Sequence, residues 1–334
     1  WNNGGSIVSN YNIDTDRWYH VAVTFDGSTY KLYIDGIEVA TPVGASAPST
    51  NNFDCLLGAM DKNGKPLYYF NGWIDELRIW NKALNIEHIH QMMNQRIKSS
   101  PTIAGNVQGE ILPLDIKGPD ANSDTVDDDP ILWSNLKGYY RMDNTGCGNL
   151  LPYNGIGFDG KLKNINSAQP DSAPLPYTTI SGGSTDWKDI SATHSWKFGN
   201  PIWDYPNSTG VNGDPIDWNI VVTTNNIKSG NNDITLLGLI VQTGELTILD
   251  PTAAENENNN GQGLWVTHYL KLDGQIDLVG ESQLVQKRYT AAQFNESILD
   301  VTSAGYLERD QQGSVNKYNY NYWSSPVGAK NNMA

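Results

Sequence analysis

Two Asp-Gly pairs, Asp26-Gly27 and Asp35-Gly36, punctuate a run of alternating residues and leave little freedom in what the first forty residues become. Between Arg17 and Ala40, Trp18, His20, Ala22 and Thr24 alternate with Tyr19, Val21, Val23 and Phe25, while the Asp-Gly pairs supply the positive φ values that tight hairpin turns need. The pattern predicts a half-buried antiparallel sheet. Farther along, Gly72 to Trp80 places Trp73, Asp75, Leu77 and Ile79 on one face and Ile74, Glu76, Arg78 and Trp80 on the other. Both faces are partly apolar, as in one strand of a two-sheet sandwich.

Taken together, the phrases W-Y-H-V-A-V-T-F-D-G, K-L-Y-I-D-G and F-N-G-W-I-D-E-L-R-I-W-N-K-A-L resemble the laminin-G-like, concanavalin-type jelly roll over residues 1–97. The resemblance implies a ligand-binding or adhesive module, with an ion held near the strand that carries Asp75. Trp1 already stands inside the pattern, so the chain is expected to begin partway through this domain.

A formal net charge of −15 and a pI of about 4.6 give no electrostatic footprint for nucleic acid and should repel anionic membrane surfaces. No apolar run approaches the roughly 20 residues that span a bilayer, so no direct membrane insertion is expected. Cations are the natural counterparts. Two cysteines, Cys55 and Cys147, allow either a single bridge or two unpaired thiols, with Cys55 buried in a strand.

Helical spacing of Ile86, Ile89, Met93 and Ile97 predicts one helix from Asn85 to Ile97, capped by Asn85. His88 and His90 point to different faces of it, which argues against a shared metal site and makes both surface or packing residues. Residues 98–131 read as an acidic, proline-containing connector. Within it, Asp120, Asn122, Asp124 and Asp128 follow the opening of a calcium loop, although no Gly follows Asp124 and no Glu stands at the twelfth position. A Ca2+ site or a solvated acidic linker are the two readings. Residues 132–176, with L-K-G-Y-Y-R-M-D and F-D-G-K-L-K-N-I, resemble the segment that completes the jelly roll or opens a second partial copy, ending in a Pro-rich linker.

Residues 177–334 differ in kind. Gly244-Glu245-Leu246-Thr247-Ile248-Leu249 is echoed thirty residues later by Gly274-Gln275-Ile276-Asp277-Leu278-Val279, each after an apolar alternation, Leu239-Ile240-Val241 and Leu270-Lys271-Leu272. Such an echo predicts stacked β rungs, a β-solenoid, with a β-sandwich as the alternative. Trp187, Trp196, Trp203 and Trp218 cluster before the rungs, as a capping region would. The overall fold class is thus all-β: a jelly-roll sandwich with a short helix, then a solenoid-like or sandwich segment. From residue 184 to 328, the Trp-rich entry, the rungs and the phrase Y-N-Y-N-Y-W-S-S-P-V-G resemble very large surface proteins exported by the type IX secretion system of gliding bacteria. That resemblance implies a longer parent protein, a location on the outer face of the outer membrane, and O-glycan acceptors at Thr125 (Asp124-Thr125-Val126) and Ser172 (Asp171-Ser172-Ala173).

No G-x-S-x-G elbow, P-loop, dinucleotide fingerprint or H-E-x-x-H occurs in the chain. Asp75 and Glu76 are adjacent, so on a strand they face opposite sides and cannot flank one glycosidic bond. A non-enzymatic role follows. Tyr68, Tyr69, Trp73 and Trp80 are the candidate sugar platform, since pyranose faces stack on aromatic rings. The expected function is a segment of a large secreted adhesin that binds glycans or surfaces, possible service in gliding motility included. The alternatives are an accessory carbohydrate-binding region of a secreted polysaccharide-degrading enzyme and a spacer without a ligand.

Overall fold

The structure, a computed structural model, describes residues 7–41, 55–62, 64–119, 127–163, 172–197, 204–249, 261–286 and 297–310. Over these residues the fold is all-β with one α-helix. Strands β1 (Val21–Phe25), β2 (Tyr30–Ile34) and β3 (Ile37–Ala40) form the antiparallel sheet that the Asp-Gly pairs predict. Asp35 and Gly36 both hold positive φ, 50° and 78°, in a two-residue turn whose handedness follows the strand twist. A second hairpin joins β4 (Met60–Lys62) to β5 (Lys65–Leu67), and β6 (Leu77–Trp80) follows. The last strand is shorter than the Gly72–Trp80 phrase suggests, because Glu76 takes a φ of 52° and ends the extended run before Leu77.

Helix α1 (Ile86–Met93) starts at Asn85, as expected: its Oδ1 accepts the His88 N–H at 2.9 Å, and His88 Nδ1 accepts the Asn85 N–H at 3.3 Å. It stops four residues earlier than the apolar spacing implied. Ile97 instead opens β7 (Ile97–Ser99), which pairs with β8 (Val107–Gly109), and its side chain enters a core cluster from a strand. The segment read as a solvated connector is packed over residues 98–119. Val107, Leu112 and Ile116 are buried, and Asp115 accepts hydrogen bonds from Ser100, Asn106 and Gln108. These apolar residues stand singly between turns, so no period announced them. Strand β9 (Leu136–Tyr140) pairs antiparallel with β6, so residues after 132 complete this sheet rather than begin a second copy. Three short strands, β10 (Thr145–Gly146), β11 (Asn149–Leu150) and β12 (Gly160–Lys161), follow. Cys55 and Cys147 are free, so of the two readings the unpaired thiols stand, and both are exposed, which corrects the buried Cys55.

The remaining strands are β13 (Tyr177–Thr178), β14 (Ile220–Thr223), β15 (Ile227–Lys228), β16 (Ile234–Val241), β17 (Glu245–Ile248), β18 (Gly263–Leu272), β19 (Gln275–Leu278), β20 (Gln283–Gln286), β21 (Ile298–Leu299) and β22 (Tyr306–Arg309). Every pairing among them is parallel, in two sheets: β13-β14-β16-β18-β20, with β21 also on β18, and β15-β17-β19-β22. The register is the one the echo implies: Leu246 faces Ile276, Ile248 faces Leu278, and Leu239 faces Leu270. Leu236, Leu239, Val241, Leu246, Ile248, Leu264, Val266, Leu270, Ile276 and Leu278 fill the space between the sheets, with Trp187 and Trp196 in the same cluster. Each such side chain contributes about 2 kcal/mol by leaving water. At the corner between the sheets, Gly274 lies so close to the previous rung that a Cβ there would sit 2.5 Å from the Gly244 carbonyl oxygen.

Strand β16 reads as an unbroken apolar run because both its faces are covered. A register shift between Leu236 and Gly238 turns Leu237 and Ile240 outward, where they meet Leu112, Ile220 and Tyr269 in a separate cluster. Leu112 thus ties the segment after the helix to the solenoid. A polar joint lies beside it. The His90 ring stacks on Trp218, centroids 3.8 Å apart, and Trp218 Nε1–H donates to the Asp35 carbonyl at 2.9 Å. Arg17 bridges Asp35 at 3.1 Å and Asp204 at 2.8 Å.

Burial also leaves charge unmatched. Glu87, 6% exposed, has an Oε2 with no partner among the described residues, and burial pushes its carboxyl up from 4.5 to about 7. The folded protein therefore keeps this proton where the unfolded chain has lost it, and wild-type stability falls as pH rises from 4.5 through 7. Glu87→Gln should be more stable than wild type at pH 8 by roughly 2–3 kcal/mol. In denaturant titrations that difference should close as pH falls to about 4.5.

Candidate functional site

The hairpin of β4 and β5 stands out from the sheet surfaces around it. All six of its strand residues for which burial is described are exposed, with Asp61, Lys62 and Lys65 beside Met60 and Leu67. Asp61 Oδ1 accepts the Gly64 N–H at 2.7 Å and closes the turn. Directly after β5, Tyr68, Tyr69 and Phe70 are 68%, 62% and 58% exposed. Three consecutive aromatic residues in water form a surface that folding alone does not require. Tyr68 holds a φ of 52°, uncommon for an aromatic residue. Two bonds fix the ridge from behind: Tyr69 Oη–H donates to the Pro66 carbonyl at 3.1 Å, and the Phe70 N–H donates to the Gly58 carbonyl at 2.9 Å. The Phe70 ring lies over Gly72, where a Cβ would meet it at 2.7 Å.

The four platform candidates differ in exposure. Tyr68 and Tyr69 are brought together on the exposed ridge. Trp73 is half-buried, its ring 6.2 Å from that of Trp18, and Trp80 packs against the cluster of Ile97, Leu136 and Tyr139. Trp80 is therefore half-buried against the core and lies apart from the exposed ridge. Phe70 belongs to the ridge, although it opens the F-N-G-W phrase that reads as fold. The adjacency of three aromatics was the available signal.

The metal candidates fare differently. Asp120, Asn122 and Asp124, and the glycan candidate Thr125, lie outside the described residues. Asp128 is exposed. Its neighbour Asp127 accepts the N–H groups of Gly118 and Asp129 through Oδ1, each at 3.0 Å, which draws the two ends of the acidic run together. Asp129 pairs with Lys82 at 2.6 Å and accepts from Asn85 Nδ2 at 2.8 Å. Asp75 tethers two backbone amides. Its Oδ1 accepts the Glu76 N–H at 2.9 Å and its Oδ2 the Ala173 N–H at 3.1 Å, and burial, aided by the Glu76 charge, raises the carboxyl to about 6. No group of three or more His, Cys, Asp or Glu side chains able to hold an ion occurs among the described residues. Ser172 is exposed, and its hydroxyl donates to the Ala173 carbonyl at 3.1 Å.

Other ionisable groups are committed to packing. Glu76 accepts from Arg78 at 2.7 Å and from Tyr139 Oη at 2.8 Å, with Arg96 at 3.3 Å. Burial holds His20 and His268 down to about 4 and His90 to about 3, so these imidazoles are neutral at ordinary pH.

Residues 1–90 match a laminin-G family model described as the concanavalin A-like lectin/glucanases superfamily. No curated protein and no solved structure matches the chain. The first part of the chain, which carries the aromatic hairpin, is accordingly laminin-G-like, and a domain of that superfamily is compatible with carbohydrate binding.

Proposed function

We propose that this chain is a non-catalytic segment of a large secreted cell-surface protein, holding glycan through the exposed ridge at Tyr68, Tyr69 and Phe70. The ridge is the observation that carries the reading. Exposed rings offer a sugar face an apolar surface, and Asp61, Lys62 and Lys65 offer its hydroxyls polar partners. The non-catalytic part rests on chemistry: the buried histidines are neutral and packed, and Glu76 is held by two arginines and a tyrosine. A second reading, an accessory region of a polysaccharide-degrading enzyme, draws on the family description, which names glucanases beside lectins.

Adsorption to insoluble polysaccharides tests the ridge. Replacing Tyr68, Tyr69 and Phe70 together by Ala should weaken retention at least tenfold, since base- and sugar-like stacking is worth about 1 kcal/mol or more per ring, while the melting temperature stays within a few degrees. Undiminished retention would leave the spacer reading in place. Trp80→Ala should instead cost about 3 kcal/mol of stability through the cavity it opens.

Export by the type IX route is part of the same proposal, on the resemblance over residues 184–328. Protease treatment of intact cells of the source bacterium should release fragments of this segment, and confinement to the cytoplasm would sink the idea. Calcium belongs to it as well, on the spacing of Asp120, Asn122, Asp124 and Asp128 in the sequence. Calcium at constant ionic strength should then raise the melting temperature relative to chelator, and Asp124→Ala should remove the difference. Identical melting curves in all conditions would count against an ion there.

A further inference from the structure

Three imidazoles converge on the joint between the N-terminal sheet and the solenoid. His90, on α1, is 4% exposed, lies flat on the Trp218 ring and has its Nε2 2.9 Å from the Gly36 carbonyl. His20, just before β1, is bound to the same turn: its N–H donates to Asp35 Oδ1 and its carbonyl accepts the Asp35 N–H, each at 2.8 Å. The Nδ1 of His20 is buried, with no hydrogen-bond partner among the described residues. His268, on β18, is buried on the solenoid side with its Nδ1 2.9 Å from Thr267 Oγ1, and the His90 ring is close enough to both other imidazoles to feel their charge.

The fixed charges around the three leave little to balance a proton. Arg17 spans Asp35 and Asp204, and Arg78, which disfavours a charge on His20, is held by Glu76. One net negative charge thus faces three imidazoles. Protonating His90 costs nothing in its bond to Gly36, since Nε2–H donates in either charge state. The cost lies in a buried charge beside two like groups.

We infer that this joint is a latch opened by acid: when His20 and His90 take up protons, the N-terminal sheet unseats from α1 and Trp218, while the rungs of the solenoid stay closed. His268 stays on its rung and adds to the cost of a charge on His90.

The sign follows from where each proton goes. Burial holds His20 at about 4 and His90 at about 3 in the closed joint, against 6.5 in water, so unseating takes up two protons as pH falls from 6.5 toward 4. Asp35 works the other way. Its burial outweighs the pull of Arg17 and raises the carboxyl to about 6, so below that pH the closed joint holds a proton that the open one keeps only near 3.8. Two imidazoles outweigh one carboxyl, and the open form should gain roughly a few hundredfold in population between about pH 7 and pH 4.

Indole N–H exchange on the whole chain, followed by NMR and scaled to the intrinsic rate, tests this. The Trp218 Nε1–H donates to the Asp35 carbonyl across the joint, whereas those of Trp187 and Trp196 donate to the Pro206 and Trp187 carbonyls inside the solenoid cluster. Protection of Trp218 should fall roughly a few hundredfold from about pH 7 to pH 4 while Trp187 and Trp196 keep theirs. His90→Gln retains a donor for Gly36 without a titrating ring, and His20→Gln leaves the stacked rings untouched should the first variant loosen the joint at neutral pH. Each should cut the fall to less than about tenfold. Simultaneous loss of protection at all three indoles, constant protection of Trp218 down to pH 4, or an undiminished fall in both variants would each overturn the latch.

Discussion

Everything on the N-terminal side of the molecule is placed by one grip on one turn. His90 and Trp218 stack and close on the turn between β2 and β3. Trp218 bonds the Asp35 carbonyl, and His90 Nε2 lies 2.9 Å from the Gly36 carbonyl. A carbonyl only accepts, and burial keeps this imidazole neutral, so the ring must carry its proton on Nε2. Gly36 cannot be replaced without loosening the grip: a Cβ would come within 2.6 Å of both rings, and φ is 78°. Arg17, between Asp35 and Asp204, adds charge to the same contact, and Asn219 donates to Asn94 at 2.8 Å behind it. Sheet, helix and solenoid cap meet at these few groups.

What could be read beforehand divides along physical lines. The hairpins and the rungs were legible because each is a local pattern repeated, and parallel stacking converts a thirty-residue echo directly into register. The grip was not legible. Asp35, His90 and Trp218 are single residues in unrelated stretches, and no period or spacing links them. Ile97 misled because it satisfies helical spacing while serving a strand. At the site, Tyr68 and Tyr69 were visible as aromatics, but exposure is a tertiary property: Trp80 is half-buried against a core cluster and Phe70 stands in water, though both are aromatic.

Parallel stacking also limits which side chains can stand outside the rungs, since each meets its counterpart one rung away. On β19, Asp277 faces Glu308 of β22 and feels Glu245 as well, and burial with these charges raises its carboxyl. The neighbouring column avoids this by alternating chemistry. Tyr306 Oη–H donates to Gln275 Oε1 at 2.6 Å, and Gln275 Nε2 donates to Glu308 at 3.0 Å. A ladder of amide and phenol carries hydrogen bonds between rungs where a ladder of carboxylates would carry repulsion.

The grip also sets an order of events in synthesis. Asp35 and Trp218 are 183 positions apart, so at the usual pace of translation the first hairpins leave the ribosome about 10–40 s before the indole that holds them exists. For that interval the turn at Asp35 and Gly36 is an open end, and the helix that brings His90 has only half of its partner. Solenoid rungs, each resting on the one before, can form as they emerge. The N-terminal sheet is made first but seated only when Trp218 arrives, just as the rungs begin.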